Sequence, residues 1–301
     1  MFASINRAGA IRPFCPAVTR FIVYTSLYLS IAGAAMVYIS CFLQGLAFDP
    51  VAAALLVLVT FAVYNLNRRT DEDEDAINHT ERYAFTKKHG LILFRSAACA
   101  YAVALGLSAL WGPASLIVTA VPLVAGIVYS VPLFPARFGF KRLKEVPLMK
   151  SMVVAFSWAV PPALLPICHA ALPAGAATGI VGAFFFLLVF TNTVVFDIRD
   201  VEGDAVSGVR TIPTIFGAGG ALLLLTGLNA GFGAALLLAG RTLPGPCITP
   251  ALAAGVVYAQ GYILCFRRLV RETLLFELLT DGQFIVLAGI LSLSLSSLVA
   301  P

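Results

Sequence analysis

The chain has 301 residues, 60% of them hydrophobic and only 12% charged. A typical soluble domain is roughly 45–50% apolar and about 25% charged, so this composition excludes a soluble enzyme with a membrane tail, a disordered chain, a collagen and a disulfide scaffold. The fold class it implies is all-α: a polytopic membrane protein for which lipid is the main solvent.

In chain order, apolar runs near the roughly 20 residues needed to cross a bilayer occupy 21–46, 50–66, 91–111, 114–134, 149–168, 174–196, 215–239, 246–266 and 283–299. These predict nine transmembrane helices in a single bundle, spanning a domain from 21 to 301. Residues 1–20 form a short N-terminal segment carrying Arg7, Arg12 and Arg20. Pro161, Pro162 and Pro166 predict a kink in the fifth helix. With nine spans, 19 of the 20 Lys and Arg residues fall on the side of the N-terminus, and only Arg241 lies opposite. By the positive-inside rule that side is cytoplasmic. The net charge of +5 is thereby explained without a nucleic-acid partner. Of the 15 acids, 14 share the cytoplasmic side, Asp49 being the exception, so the chemistry is expected at the cytoplasmic mouth. A bacterial or archaeal cell membrane is the expected setting. The six cysteines are scattered, without a CxxC pair, and read as small buried hydrophobes.

Two acidic clusters stand out. Asp71-Glu72-Asp73-Glu74-Asp75 follows the second run directly. Five consecutive acids usually mark a solvated loop, but this run abuts a membrane span, where ionisable groups tend to be functional. Asn67, Asp71 and Asp75 recur every four residues, stepping about 40° around a continued helix, so they share one face. The second cluster, Asp197 to Asp204, ends the sixth run. There Asp197, Asp200 and Asp204 fall within about 60° of one another. Two facing carboxylate stripes would repel unless divalent cations sat between them. Oxygen-only ligands favour Mg²⁺, which usually takes a few carboxylates plus substrate phosphates. A prenyl diphosphate is the lipid-soluble ligand of that chemistry, and nearby Arg and Lys would hold its remaining oxygens.

These residues resemble the UbiA superfamily of intramembrane prenyltransferases, which carries N-x3-D-x3-D after the second of nine helices and D-x3-D after the sixth. The chain has Asn67 to Asp75 in the first position and Asp200-Val-Glu-Gly-Asp204 in the second. Asp75-Ala-Ile-Asn78-His-Thr-Glu-Arg82 is similar to D-x-I-N-x-P-x-R, with Thr80 replacing proline. Gly208-Val-Arg210-Thr-Ile-Pro213 is similar to G-x-R-T-x-P. Tyr129-Ser-Val-Pro132 and Leu148-Met-Lys150 look like its Y-S-x-P and L-K-N stretches, with Ser151 replacing Asn.

The resemblance implies an enzyme that joins a polyprenyl chain to an acceptor, releasing diphosphate, through an allylic carbocation-like transition state. It implies two Mg²⁺ ions held with the diphosphate by Asn67, Asp71, Asp75, Asp197, Asp200 and Asp204. Arg82, Lys150 and Arg210 are the expected diphosphate contacts, and Lys150 and Tyr129 the expected catalytic residues, with Tyr129 near the allylic carbon. The expected acceptor is an aromatic quinone precursor, with a glyceryl phosphate lipid or chlorophyllide as alternatives. Oligomeric state is not legible. From other classes, a transporter with a cytoplasmic cation vestibule lacks charges well inside helices six to nine, and a CDP-alcohol phosphotransferase lacks its D-x2-D-G-x2-A-R signature.

Other residues carry plainer readings. His79, four residues past Asp75, reads as a solvated loop histidine, with an i,i+4 metal pair as the alternative, and His89 and His169 read as interfacial. Glu272, Glu277 and Asp281 read as interfacial ion pairs with Arg267, Arg268 and Arg271, with a place at the border of the site as the alternative for Asp281. Asp49 has no partner legible in the sequence. Phe184, Phe185, Phe186 and Phe190 read either as packing aromatics or as the lining of a prenyl path.

Overall fold

The computed structural model describes residues 16–70, 76–132, 135, 137, 140–245 and 247–299. Its principal helices are α1 (Pro16–Tyr24), α2 (Leu27–Leu43), α3 (Pro50–Thr70), α4 (Thr80–Leu110), α5 (Pro113–Ser130), α6 (Met149–His169), α7 (Ala176–Arg199), α8 (Val201–Val206), α9 (Ile212–Gly240), α10 (Ile248–Leu269), α11 (Thr273–Asp281) and α12 (Gln283–Val299). No strand occurs among the described residues. Seven helices (α3 to α7, α9 and α10) are long and apolar enough to cross a membrane alone. Two further pairs, α1 with α2 and α11 with α12, pass the same test together, bent by 66° and 51°. Nine spans result when each bent pair is one span.

The run expected to be continuous over 21–46 is therefore two helices. Ser26 has φ 63°, a left-handed conformation that stops a right-handed helix. Side chains of α3 satisfy the groups freed at this break. Asn65 Nδ2 donates to the Thr25 carbonyl at 3.1 Å. Arg68 donates to the Tyr24 carbonyl and, at 2.8 Å, to Ser26 Oγ. The Arg68→Ala variant leaves these acceptors short of donors, a loss of about 1–3 kcal/mol. A lowered thermal midpoint in detergent is the expected result, and an unchanged midpoint would show that the break holds without Arg68.

Other boundaries shift for local reasons. The third run was expected from 91, but α4 starts at Thr80 and carries Arg82, Lys87 and Lys88 out of the apolar zone. The fourth, expected to reach 134, stops at Ser130, because Val131 precedes Pro132 and is extended, with φ −81° and ψ 138°. Gly217 (φ 71°, ψ 164°) kinks α9, as only glycine does readily. By contrast α6 stays helical through Pro161, Pro162 and Pro166, all three buried.

Helices adjacent in sequence pack as neighbours, and α12 returns to α2, so the first and last spans touch. α6 and α7 are the most enclosed, whereas α4, α5 and α9 turn much of their apolar surface outward, as at Ile92, Ile117 and Leu223. Phe184 and Phe185 are fully buried. A Cβ on Gly255 would lie 2.5 Å from the Phe184 ring, so glycine is what lets α10 approach α7. Phe184 and Phe185 are thus packing groups, Phe185 meeting Phe284 edge-on, and Phe186 stacks on Phe190. Of the five described cysteines only Cys41 is buried, and Cys99 and Cys265 are exposed on outward helix faces.

The two ends of the bundle differ in chemistry. At the weakly charged end Asp49 caps α3, accepting from Val51 and Ala52 N–H at 3.0 and 2.9 Å. Its other oxygen lies 2.6 Å from His169 Nδ1. His169 Nε2 lies 2.9 Å from Ser115 Oγ, and Trp111 stacks on the imidazole. Asp49 and His169 are therefore partners, joining the starts of α3 and α5 to the end of α6.

Candidate active site

At the other end, Lys150 is the centre of a buried ion cluster. Leu148 turns the chain with φ 66°, and its N–H donates to the Arg210 carbonyl at 3.3 Å. This starts α6 at Met149 and places Lys150 in its first turn. Lys150 Nζ donates to both oxygens of Asp204, at 2.7 and 2.9 Å, and lies 2.9 Å from Asp197 Oδ1. Ser151 Oγ donates to Asp197 Oδ2 at 2.8 Å, so the serine at the asparagine position still supplies a donor. Asp197 and Asp204 are 2% and 1% exposed, which makes the shared ammonium essential to their charge balance.

Asp200 interrupts the expected continuous face. It is non-helical (φ −97°, ψ 13°) and joins α7 to α8, so its carboxylate meets other partners. Arg199 donates to its two oxygens at 2.7 and 2.9 Å. His79 Nε2 lies 3.3 Å from Asp200 Oδ1 and 2.9 Å from Arg199 Nη2. His79 is thus a buried bridging residue rather than a solvated one. Burial opposes charge on Asp200, but the hydrogen bonds from His79 and Arg199 outweigh it and hold the carboxyl well below the usual range. Arg199 also reaches Glu277 Oε1 at 3.1 Å, and Arg82 lies 3.8 Å from the same oxygen. The expected pairing of Glu277 with Arg267, Arg268 or Arg271 is replaced because the bend after α11 lays that helix across this end.

Asn78 links the two acidic motifs. Its Nδ2 donates to the Asp200 carbonyl at 3.3 Å, and its Oδ1 accepts from Gly203 N–H at 3.2 Å. A Cβ on Gly203 would lie 2.3 Å from the Asn78 amide, so this close approach requires glycine. The segment that follows the first cluster is therefore docked on the second. Asp71 and Asp75 themselves lie outside the described residues.

The remaining expected site residues surround this cluster. Tyr129 is buried, with Lys144 Nζ 5.7 Å from its ring centre. Lys144 is itself 1% exposed, a burial its sequence position in a basic loop does not reveal. Glu145 holds that loop, accepting from Lys141 N–H and Arg142 Nε at 2.7 and 2.6 Å. The Arg210 side chain is exposed, and its backbone makes the contact to Leu148. Asn67 lines an apolar groove between α3 and α5, with Val63, Leu66, Leu123 and Ile127. A second, largely apolar pocket lies among α2, α3, α6, α7 and the α11–α12 bend.

The model of the UbiA prenyltransferase family matches residues 31–287. The chain belongs to that family. This UbiA-family chain is a prenyltransferase and an integral, multi-pass membrane protein. In fold it is similar to the apo structure of a UbiA homologue from Aeropyrum pernix, with TM-score 0.67 and 17% identity, covering 88% of this chain and 98% of that one. A UbiA homologue from Archaeoglobus fulgidus, bound to GPP and Mg²⁺, gives TM-score 0.64 and 15% identity over 90% of this chain and 98% of that one. A digeranylgeranylglyceryl phosphate synthase gives TM-score 0.54 and 16% identity over 88% and 99%. No curated protein matches.

Among the described residues no group of three His, Cys, Asp or Glu side chains is arranged around a metal position. The donor chemistry nevertheless fits Mg²⁺. Two carboxylates converge within 2.9 Å of one cationic centre, Lys150 Nζ, and the ligands are hard oxygens.

Proposed function

We propose that this protein transfers a polyprenyl group from a prenyl diphosphate to an acceptor, an aromatic quinone precursor, releasing diphosphate at the charged end of the bundle. The observation that carries this reading is the Asn78 link, which fastens the chain just past Asp71–Asp75 onto Asp200 and Gly203. That link supports two carboxylate clusters sharing one site, as the reaction requires.

Asn67, Asp71, Asp75, Asp200 and Asp204 would hold two Mg²⁺ ions, with Asp197 orienting Lys150. When bound, Mg²⁺ neutralises the diphosphate and stabilises the charge that develops as the allylic C–O bond breaks. Lys150 would exchange one of its three N–H bonds to Asp197 and Asp204 for a diphosphate oxygen, and Arg82 and Arg210 serve the outer oxygens. The Tyr129 ring already faces one cation, Lys144, and its π face suits an allylic cation equally. The groove beside Asn67 takes the first isoprene units and excludes water from the reacting carbon. Charge sorting supports placing this end, and the N-terminus, in the cytoplasm.

The test is a titration of the detergent-solubilised protein with geranylgeranyl thiodiphosphate, which binds without ionising. Saturable binding that disappears when Mg²⁺ is chelated is the expected result. Binding that ignores Mg²⁺, or none with folded protein, would remove the donor assignment and favour the cation-vestibule transporter.

A further inference from the structure

At the charged end, α11 delivers an acid that the transfer reaction, as derived above, does not use. Glu277 lies on that helix, and its side chain is only 7% exposed. Hydroxyls from two other spans hold the helix in place. Tyr28 Oη donates to the Leu278 carbonyl at 2.7 Å, and Tyr258 Oη to the Leu279 carbonyl at 2.8 Å. A Cβ on Gly282, at the bend, would lie 2.1 Å from Tyr28 Oη, so glycine is what admits the first of these clamps.

Arg199, which meets Glu277, is held from several directions. Its Nε and Nη2 donate to Asp200 at 2.7 and 2.9 Å, and its Nη1 donates to Glu277 Oε1 at 3.1 Å. The rings of Phe196 and Phe276 lie 4.6 and 5.4 Å from its Cζ, contacts that suit a planar guanidinium. One edge of the fork therefore holds an expected metal ligand, and the remaining amino group holds Glu277. Arg82, an expected diphosphate contact, lies 3.8 Å from the same Glu277 oxygen. Arg82 and Arg199 are thus matched by Asp200 and Glu277, and Glu277 supplies half of that negative charge. So little of Glu277 and Arg199 is exposed that water screens these charges weakly.

Resting on the prenyltransferase reading above, we propose that Glu277 is a positioning residue that makes the donor site selective for diphosphate accompanied by Mg²⁺. It acts through Arg82 and Arg199. Two uncompensated arginines would bind a bare diphosphate directly and would repel the cation that Asp200 is expected to hold. The Glu277 charge reverses both preferences: it cancels the attraction for the bare polyanion and favours the metal ion.

The test compares geranylgeranyl thiodiphosphate, with Mg²⁺ and with Mg²⁺ chelated, against geranylgeraniol, which has the same tail and no charge. If the parent protein shows no Mg²⁺-dependent thiodiphosphate binding, the donor reading falls and this proposal with it. Given that binding, bare thiodiphosphate should bind the parent no more than threefold tighter than the alcohol. In Glu277→Gln the bare form should gain at least tenfold over the alcohol, while the Mg²⁺ form weakens at least threefold. Glu277→Asp, which keeps the charge, should stay within threefold of the parent on each measurement. A purely structural Glu277 would weaken all three ligands together and leave their ratios unchanged, and that result would overturn the proposal alone. So would a smaller gain for the bare form in Glu277→Gln, or a parent protein that already prefers bare thiodiphosphate to the alcohol by more than threefold. The last comparison keeps Glu277 intact, so it stands even where the variants do not fold.

Discussion

Replacing Lys150 with methionine is expected to lower prenyl transfer by about 10²–10³-fold, the size seen when one preorganised charge-stabilising donor is removed. The same change should destabilise the protein before any substrate is added. Lys150 Nζ is within 2.9 Å of both Asp197 and Asp204, and both acids are buried. Methionine keeps the length and removes the ammonium, stranding two carboxylates at a cost of about 3–5 kcal/mol. Mg²⁺ should restore part of the lost thermal stability, because it supplies positive charge at the same oxygens, but it should not restore turnover. Product formation by mass spectrometry and thermal midpoints with and without Mg²⁺ check both halves. Turnover within threefold of the parent would remove Lys150 from the diphosphate site.

Asp200→Asn is expected to abolish Mg²⁺-dependent donor binding and to lower kcat/KM by about 10²-fold or more, in the range set by loss of a charge-stabilising group. The reason lies in what surrounds the carboxylate. Arg199 and His79 keep Asp200 charged, so it is an ionised oxygen donor at neutral pH. Asparagine preserves the shape and one oxygen but loses the charge that a hard divalent cation needs. Asp71→Asn, from the other cluster, should give the same phenotype, with Mg²⁺ titrations shifted to higher concentration. Retained turnover in both variants would defeat the metal assignment.

Much of the architecture was legible because lipid penalises every polar residue, so helices and their ends leave a strong mark on composition. The breaks were not. Ser26 stops a helix only because Asn65 and Arg68, some forty residues on, satisfy the freed groups, and no local signal carries that. Gly217 lies in a glycine-rich run where many positions are equally permissive. The site was legible where spacing encodes it: Asp197 and Asp204 do share the ammonium of Lys150. It was illegible where a pairing arises from assembly. His79 reads as a loop residue until Asp200 and Arg199 are brought beside it. Glu277 reads as a partner of nearby arginines until the α11–α12 bend turns it toward Arg199. Asn78 stood in a quoted motif, yet its role needs Gly203, 125 residues away.

The link among Asp49, His169 and Ser115 bears on traffic through the molecule. Three connections at the weakly charged end are tied by contacts of 2.6 and 2.9 Å, so these three helix ends are held together as one unit. In the proposed reaction the water-soluble diphosphate would leave by the charged end, and the apolar product would pass between helices into the bilayer. Entry and exit would then be sorted by solubility, with the membrane itself drawing off the product.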